Sequence, residues 1–112
     1  MAERRMFAKS VVMDDKFLDL TPVARCLYFA LNMVADDDGF VGAPKRVIRN
    51  CGASQKALRI LVDAGYVVQF DSGVVGISHW GINNQIRKDR HRPTAYFREA
   101  RLMLEQIQRE GK

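Results

Sequence analysis

The residues of this chain best suited to chemistry are cations and amides at helical spacing. Lys45, Arg46 and Arg49 fall on the polar side of one short patterned stretch, and Gln55, Lys56 and Arg59 lie at the start of the next, just after Ser54. A third cluster, Arg87, Lys88, Arg90 and Arg92, crowds into six residues with His91 and a single opposing acid, Asp89. Cations neutralise phosphates. Arg and Lys also pair with guanine, and Gln pairs bidentately with adenine. The available chemistry is recognition of a polyanion, not the making or breaking of bonds.

Other residues that could carry chemistry read more simply. Asp36, Asp37 and Asp38 are adjacent, and three neighbouring carboxylates do not converge on one ion without further ligands. They read as a turn that ends a helix. His79 and His91 lie far apart, with no Cys or acid at ligand spacing, and no nucleophile motif accompanies either. His79 is expected to pack beside Trp80, and Trp80 to seal a hairpin against the helices. Cys26 and Cys51 each sit in an apolar periodic pattern, so both are expected in the core. P-loop, GxGxxG and HExxH motifs are absent. The sequence therefore implies no enzyme, no metal, no cofactor and no small-molecule substrate.

Charge is unevenly spread. The net charge is +5. Residues 1–38 carry five Lys/Arg against seven Asp/Glu, residues 39–92 carry nine against three, and residues 93–112 carry four against three. This asymmetry points first to nucleic acid and second to an anionic membrane, against the plainer reading of a solvated basic surface. With 112 residues, 47% hydrophobic and 28% charged, the chain suits one soluble domain. The charged start carries no apolar signal segment, and the apolar run Cys26 to Leu31 is too short to span a bilayer. A cytoplasmic protein without membrane contact is expected.

The elements that must position the cations follow from periodicity. Arg4 to Met13 leans to a strand or an arm. Thr21-Pro22 starts a helix that runs to about Ala35, with Thr as the cap and Pro at the first turn. Val23, Cys26, Leu27, Ala30, Leu31 and Val34 form its inward stripe, leaving Arg25, Asn32 and, out of place, Phe29 opposite. Phe40-Val41 allows only a very short strand. Pro44 opens a second helix, with Val47, Ile48 and Cys51 on its apolar face. Gly52 ends it, and Ser54 caps a third helix that stops at Gly65. Tyr66 to Phe70 and Val74 to Ser78 form a hairpin around Asp71-Ser72-Gly73. Pro93-Thr94 opens a final helix with Tyr96, Ala100, Met103, Leu104 and Ile107 on its stripe.

This order, helix, short strand, helix, turn, helix, hairpin, is that of an α+β, mostly helical winged helix. The expected division is a winged-helix domain with an N-terminal arm over 1–93 and an amphipathic helix over 94–112. In such a fold the third helix enters the major groove, and the second crosses the backbone. Gln55, Lys56 and Arg59, with Ser54, would then face bases, and Lys45, Arg46 and Arg49 phosphates. Asp63, one turn beyond Arg59, could pair with it and blunt its charge. The hairpin tip carries no cation, so the Arg87–Arg92 cluster is the candidate second DNA surface. Phe29 on a polar face suggests cover from the arm, the final helix or a second subunit.

The chain also resembles a family. Residues 1–9, Met-Ala-Glu-Arg-Arg-Met-Phe-Ala-Lys, are similar to the opening of phage replisome-organiser, DnaD-like N-terminal domains. So are Ala35-Asp36-Asp37-Asp38-Gly39-Phe40, Ser72-Gly73-Val74-Val75 with His79-Trp80, and Ile86-Arg87-Lys88-Asp89-Arg90 with Thr94. The resemblance covers about residues 1–96. It implies a winged helix that binds double-stranded origin DNA in replication initiation, forms homo-oligomers and engages helicase-loading proteins. Phe7 and Phe29 are the self-association candidates. A transcriptional regulator of the same fold, or a winged helix that binds protein, are the alternatives.

Overall fold

A computed structural model describes residues 4–84 and 94–110. Two one-turn helices, α1 (Lys9–Val12) and α2 (Asp15–Leu18), lead into α3 (Pro22–Val34). A two-residue strand β1 (Phe40–Val41) precedes α4 (Pro44–Asn50) and α5 (Gln55–Asp63). The hairpin strands β2 (Val67–Gln69) and β3 (Val75–Ile77), the one-turn α6 (Trp80–Asn83) and α7 (Phe97–Glu110) complete the order. The result is an α+β fold, about half helical, with one antiparallel sheet in the order β1-β3-β2. No helix among the described residues is long and apolar enough to cross a membrane.

Local chemistry sets the helix starts as the sequence leads one to expect. Thr21 accepts from the Ala24 N–H at 3.2 Å, and Ser54 accepts from the Ala57 N–H at 3.3 Å. Each satisfies one amide left without a helical partner. The hairpin turn closes through Phe70 N–H to Val74 O and Gly73 N–H to Phe70 O, with Gly73 at a φ of +90°. β1 adds to the other side of β3, pairing Phe40 with Gly76 and Val41 with Val75.

The core lies between α3, α4, α5 and the sheet. Leu27, Tyr28 and Leu31 of α3 meet Val47 and Ile48 of α4, Leu58 and Leu61 of α5, and Val67 and Val75 of the sheet. Phe17, Tyr28, Phe29 and Tyr66 contact one another edge-on, with centroids between 5.2 and 6.0 Å apart in each touching pair. Such geometry adds to the gain from burial alone. Trp80 closes the sheet end, its indole N–H donating to Asp37 O at 2.8 Å. Gly39, at a φ of +88°, lets that ring approach, because a Cβ there would lie 2.6 Å from Trp80 Cγ.

Several expectations are corrected. Of the two readings of residues 4–13, a strand or an arm, the strand does not form: residues 4–8 adopt no regular element and Lys9–Val12 form α1. Cys26 is exposed and Cys51 half-buried, so neither is a fully buried core residue. Val23 and Val34 are also exposed, and Ala30 is half-buried, while Tyr28 and Asn32 are fully buried. The reason is that α3 is apolar on all sides, so periodicity alone does not fix which face turns inward. The final helix starts at Phe97, not at Thr94. Thr94 instead hydrogen-bonds the acidic turn: its N–H donates to Asp38 Oδ2 at 2.8 Å, and its hydroxyl to Asp36 Oδ2. Leu104, expected on the inward stripe of α7, is 61% exposed.

Candidate nucleic-acid interface

The cations of residues 44–63 stand on two consecutive helices. α4 buries Pro44, Val47 and Ile48, which leaves Lys45, Arg46 and Arg49 exposed on the other side. The connection to α5 is tight: Gly52 N–H donates to Arg49 O, and Ala53 N–H donates to Ile48 O at 3.0 Å. It delivers Ser54 as the cap of α5, so Gln55 and Lys56 form the first exposed turn. Arg59 is exposed one turn further on, while Ala57, Leu58 and Leu61 face the core.

The structure brings Gln55, Lys56 and Arg59 together. With Leu58 and Gln69 they line one shallow depression of about 440 Å³ between α5 and β2. Gln69 is not among the residues that the sequence singles out. The signal available for it is its polar type at the end of the strand beside the turn: burial falls along β2 from buried Val67 through half-buried Val68 to exposed Gln69. Arg59 makes no ion pair with Asp63; among the described residues, the paired guanidinium is that of Arg5, with Asp37. The guanidinium of Arg59 therefore stays open to an incoming anion.

The hairpin tip is occupied by the chain itself. Ser72 Oγ donates to Glu99 Oε2 of α7 at 2.5 Å, tying the turn to that helix. Phe29 has its cover from the arm: Phe7 meets it edge-on at 5.0 Å, so these two rings are partners within one chain. Arg87, Lys88, Arg90 and Arg92 lie outside the described residues. On either side of them, Asn84 accepts from the arm's Met6 N–H at 2.9 Å and Thr94 rests on the acidic turn.

His79 packs against Tyr66 at 5.3 Å rather than beside a nucleophile. Burial and the nearby Lys16 ammonium hold its pKa below the usual imidazole value. Burial raises the Tyr28 and Tyr66 phenols, so both stay neutral at physiological pH. No group of three or more His, Cys, Asp or Glu able to hold a metal is found among the described residues. A second depression of about 390 Å³ lies between α7 and the sheet, lined chiefly by Phe40, Ile77, Trp80, Met103 and Leu104. No protein-family model, curated protein or solved structure matches the chain.

Proposed function

We propose that this chain is a winged-helix domain that binds duplex DNA, and that it acts in replication initiation as do the DnaD-like replisome organisers it resembles. One observation carries the reading. Lys45, Arg46, Arg49, Lys56 and Arg59 are all exposed on α4 and α5, and none is held in an ion pair with a described residue. α5 would lie in the major groove, where about 12 Å of width admits one helix. Gln55, Lys56 and Arg59 would then meet base edges, with Ser54 at the helix start. The cations of α4 would reach phosphates. The tip of the hairpin, held by Glu99, would contribute little.

Binding is then mostly electrostatic. With about four to six phosphates neutralised, log K should fall against log salt with a slope of about −4 to −5. A gel-shift or anisotropy titration over several salt concentrations, on random and origin-like duplexes, tests this. Affinity that does not respond to salt overturns the reading. The cluster Arg87, Lys88, Arg90 and Arg92 belongs to the same proposal as a second phosphate-binding surface. Changing all four to Gln should make the slope shallower by up to about 0.9 for each phosphate no longer neutralised. Engagement of helicase-loading proteins also belongs to this proposal, with co-sedimentation on origin DNA as its test.

A further inference from the structure

Between α7 and the sheet lies a space that the chain does not fill. Met103 reaches β3, where a Cβ at Gly76 would stand 3.2 Å from its Cε. Ala100, one turn before it, has only a methyl group to offer, and Leu104 is 61% exposed although it borders the same space. The opening measures about 390 Å³ and is walled by Phe40 and Ile77 of the sheet, Trp80 of α6, and Ala100, Met103 and Leu104 of α7. Gly81 also borders it, and a Cβ there would meet nothing within 4 Å. Phe40, Ile77 and Trp80 are otherwise buried, so the core holds one wall in place.

We propose that this opening is a binding site for a small aromatic amine, its ring between α7 and the sheet and its ammonium on Asp38. Three arguments select that ligand. The first is size: sites for small molecules begin at about 300 Å³, and a slot bounded on two sides by a helix and a sheet suits one compact molecule rather than a peptide helix, which needs an extended groove. The second is the lining. Phe40 and Trp80 offer aromatic surface, against which a flat ring packs edge-on or offset. Leu104 would lose its exposure beneath the ligand. The third is the polar edge. Among the described residues that line the opening, Asp38 is the only charged one, and Ser78 adds a hydroxyl. The Thr94 N–H donates to Asp38 Oδ2 at 2.8 Å, and the Asp38 N–H donates to Asp36 Oδ1 at 3.0 Å, so this acid is already oriented. A carboxylate has about four acceptor positions, so it takes a further donor beside those it holds. An ammonium makes the stronger, charge-assisted bond there, and an anionic ligand is repelled. Arg5 lies on the Trp80 ring, but its side chain is 2% exposed and its charge is paired with Asp37, so it does not reverse this preference.

The site is separate from α4 and α5 and stands whether or not the chain binds DNA. A bound amine bridges α7 and the sheet, so it should also raise the thermal midpoint as its concentration rises.

Titration with para-phenylbenzylamine and with para-phenylbenzoate tests the proposal. Trp80 is the only tryptophan, so its emission reports occupancy, and calorimetry gives the affinity. The amine should bind at one saturable site, at least about 10-fold more tightly than the benzoate. The net charge of +5 would favour the anion elsewhere on the surface, so preference for the amine is particular to the slot. Asp38→Asn should remove the preference while its amide oxygen still accepts from Thr94. Ala100→Phe should fill the opening and abolish saturable binding of both compounds. Far-UV circular dichroism checks that each variant stays folded, and Asp38→Asn decides alone where Ala100→Phe does not. A parent that binds neither compound, equal affinity for the two, or a preference that survives Asp38→Asn overturns the proposal.

Discussion

The guanidinium carbon of Arg5 lies 4.9 Å from the centre of the Trp80 ring. Its side chain is only 2% exposed, its Nη2 donates to Ala35 O at 2.7 Å, and its Nη1 pairs with Asp37 at 3.4 Å. The next residues continue the attachment. Met6 N–H donates to Asn84, and Ala8 N–H donates to Asn83, whose Nδ2 in turn donates to the Tyr28 hydroxyl at 2.7 Å. The arm is thus a structural strap across the turn after Trp80, and Arg5 is committed to the fold rather than to a ligand.

Arg5→Ala should therefore cost about 2–4 kcal/mol, since it empties a buried, hydrogen-bonded cation site. That corresponds to a fall in Tm of roughly 8–15 °C for a domain of this size. Arg5→Lys should recover only part of this stability, because an ammonium lacks the flat face and forked donors. Thermal denaturation followed by circular dichroism measures both, and an unchanged Tm for Arg5→Ala contradicts the strap.

Much of this was legible in the sequence, and the main failures concern the phase of α3 and contacts between residues far apart in the chain. Thr21-Pro22 and Ser54 marked helix starts because capping is local chemistry, independent of the rest of the fold. Gln55, Lys56 and Arg59 emerged together because α5 has one apolar face and one polar face, so its phase is fixed. α3 has no polar face, so the inward positions Tyr28 and Asn32 could not be told from the outward Val23 and Cys26. The buried place of Arg5 was illegible for a related reason. It depends on Asp37 and Trp80, which lie 32 and 75 positions away, and no local pattern encodes such pairings.

His79 gives the expected pH dependence. Its folded pKa lies below the ordinary 6.5, first because of burial and then because of the Lys16 charge. The unfolded chain takes up this proton near the ordinary value, whereas the folded chain does so only at lower pH. Unfolding is therefore favoured as pH falls through 6.5 toward the folded pKa, and the contribution is intact above that window. Urea titrations between about pH 7.5 and 5 should show stability declining on acidification. His79→Gln should flatten the decline, and a slope equal to that of the parent excludes His79 as its source.

Substitutions in α5 should act differently from those in α4. Arg59→Ala and Gln55→Ala should narrow the difference between preferred and random duplexes, by about 1–3 kcal/mol where a bidentate base pairing is removed. Arg46→Ala and Arg49→Ala should weaken every duplex alike and reduce the salt slope by about one for each phosphate released. All four side chains are exposed, so Tm should hold within experimental error. Competition binding with specific and random duplexes separates the classes. Identical behaviour of both pairs means that α5 does not read bases.

The seating of α7 depends on a glycine. A Cβ at Gly42 would collide with the Tyr96 side chain, lying only 2.8 Å from its ring carbon Cζ. Further along the helix, Met103 reaches the backbone of β3, where a Cβ at Gly76 would stand 3.2 Å from Met103 Cε. With Ser72 bonded to Glu99, these interactions hold α7 over the sheet and beside Trp80. Gly42→Ala should displace Tyr96 and loosen the helix at a cost of about 1–3 kcal/mol, the usual penalty for overpacking. Trp80 is the only tryptophan, so its emission should shift to longer wavelength as water reaches the loosened groove. Tyr96→Ala should loosen the same helix by itself. Because both changes disrupt the same packing, Gly42→Ala combined with Tyr96→Ala should cost clearly less than the sum of the two. Additive costs in that double-mutant cycle would mean that the residues act independently and that α7 is held elsewhere.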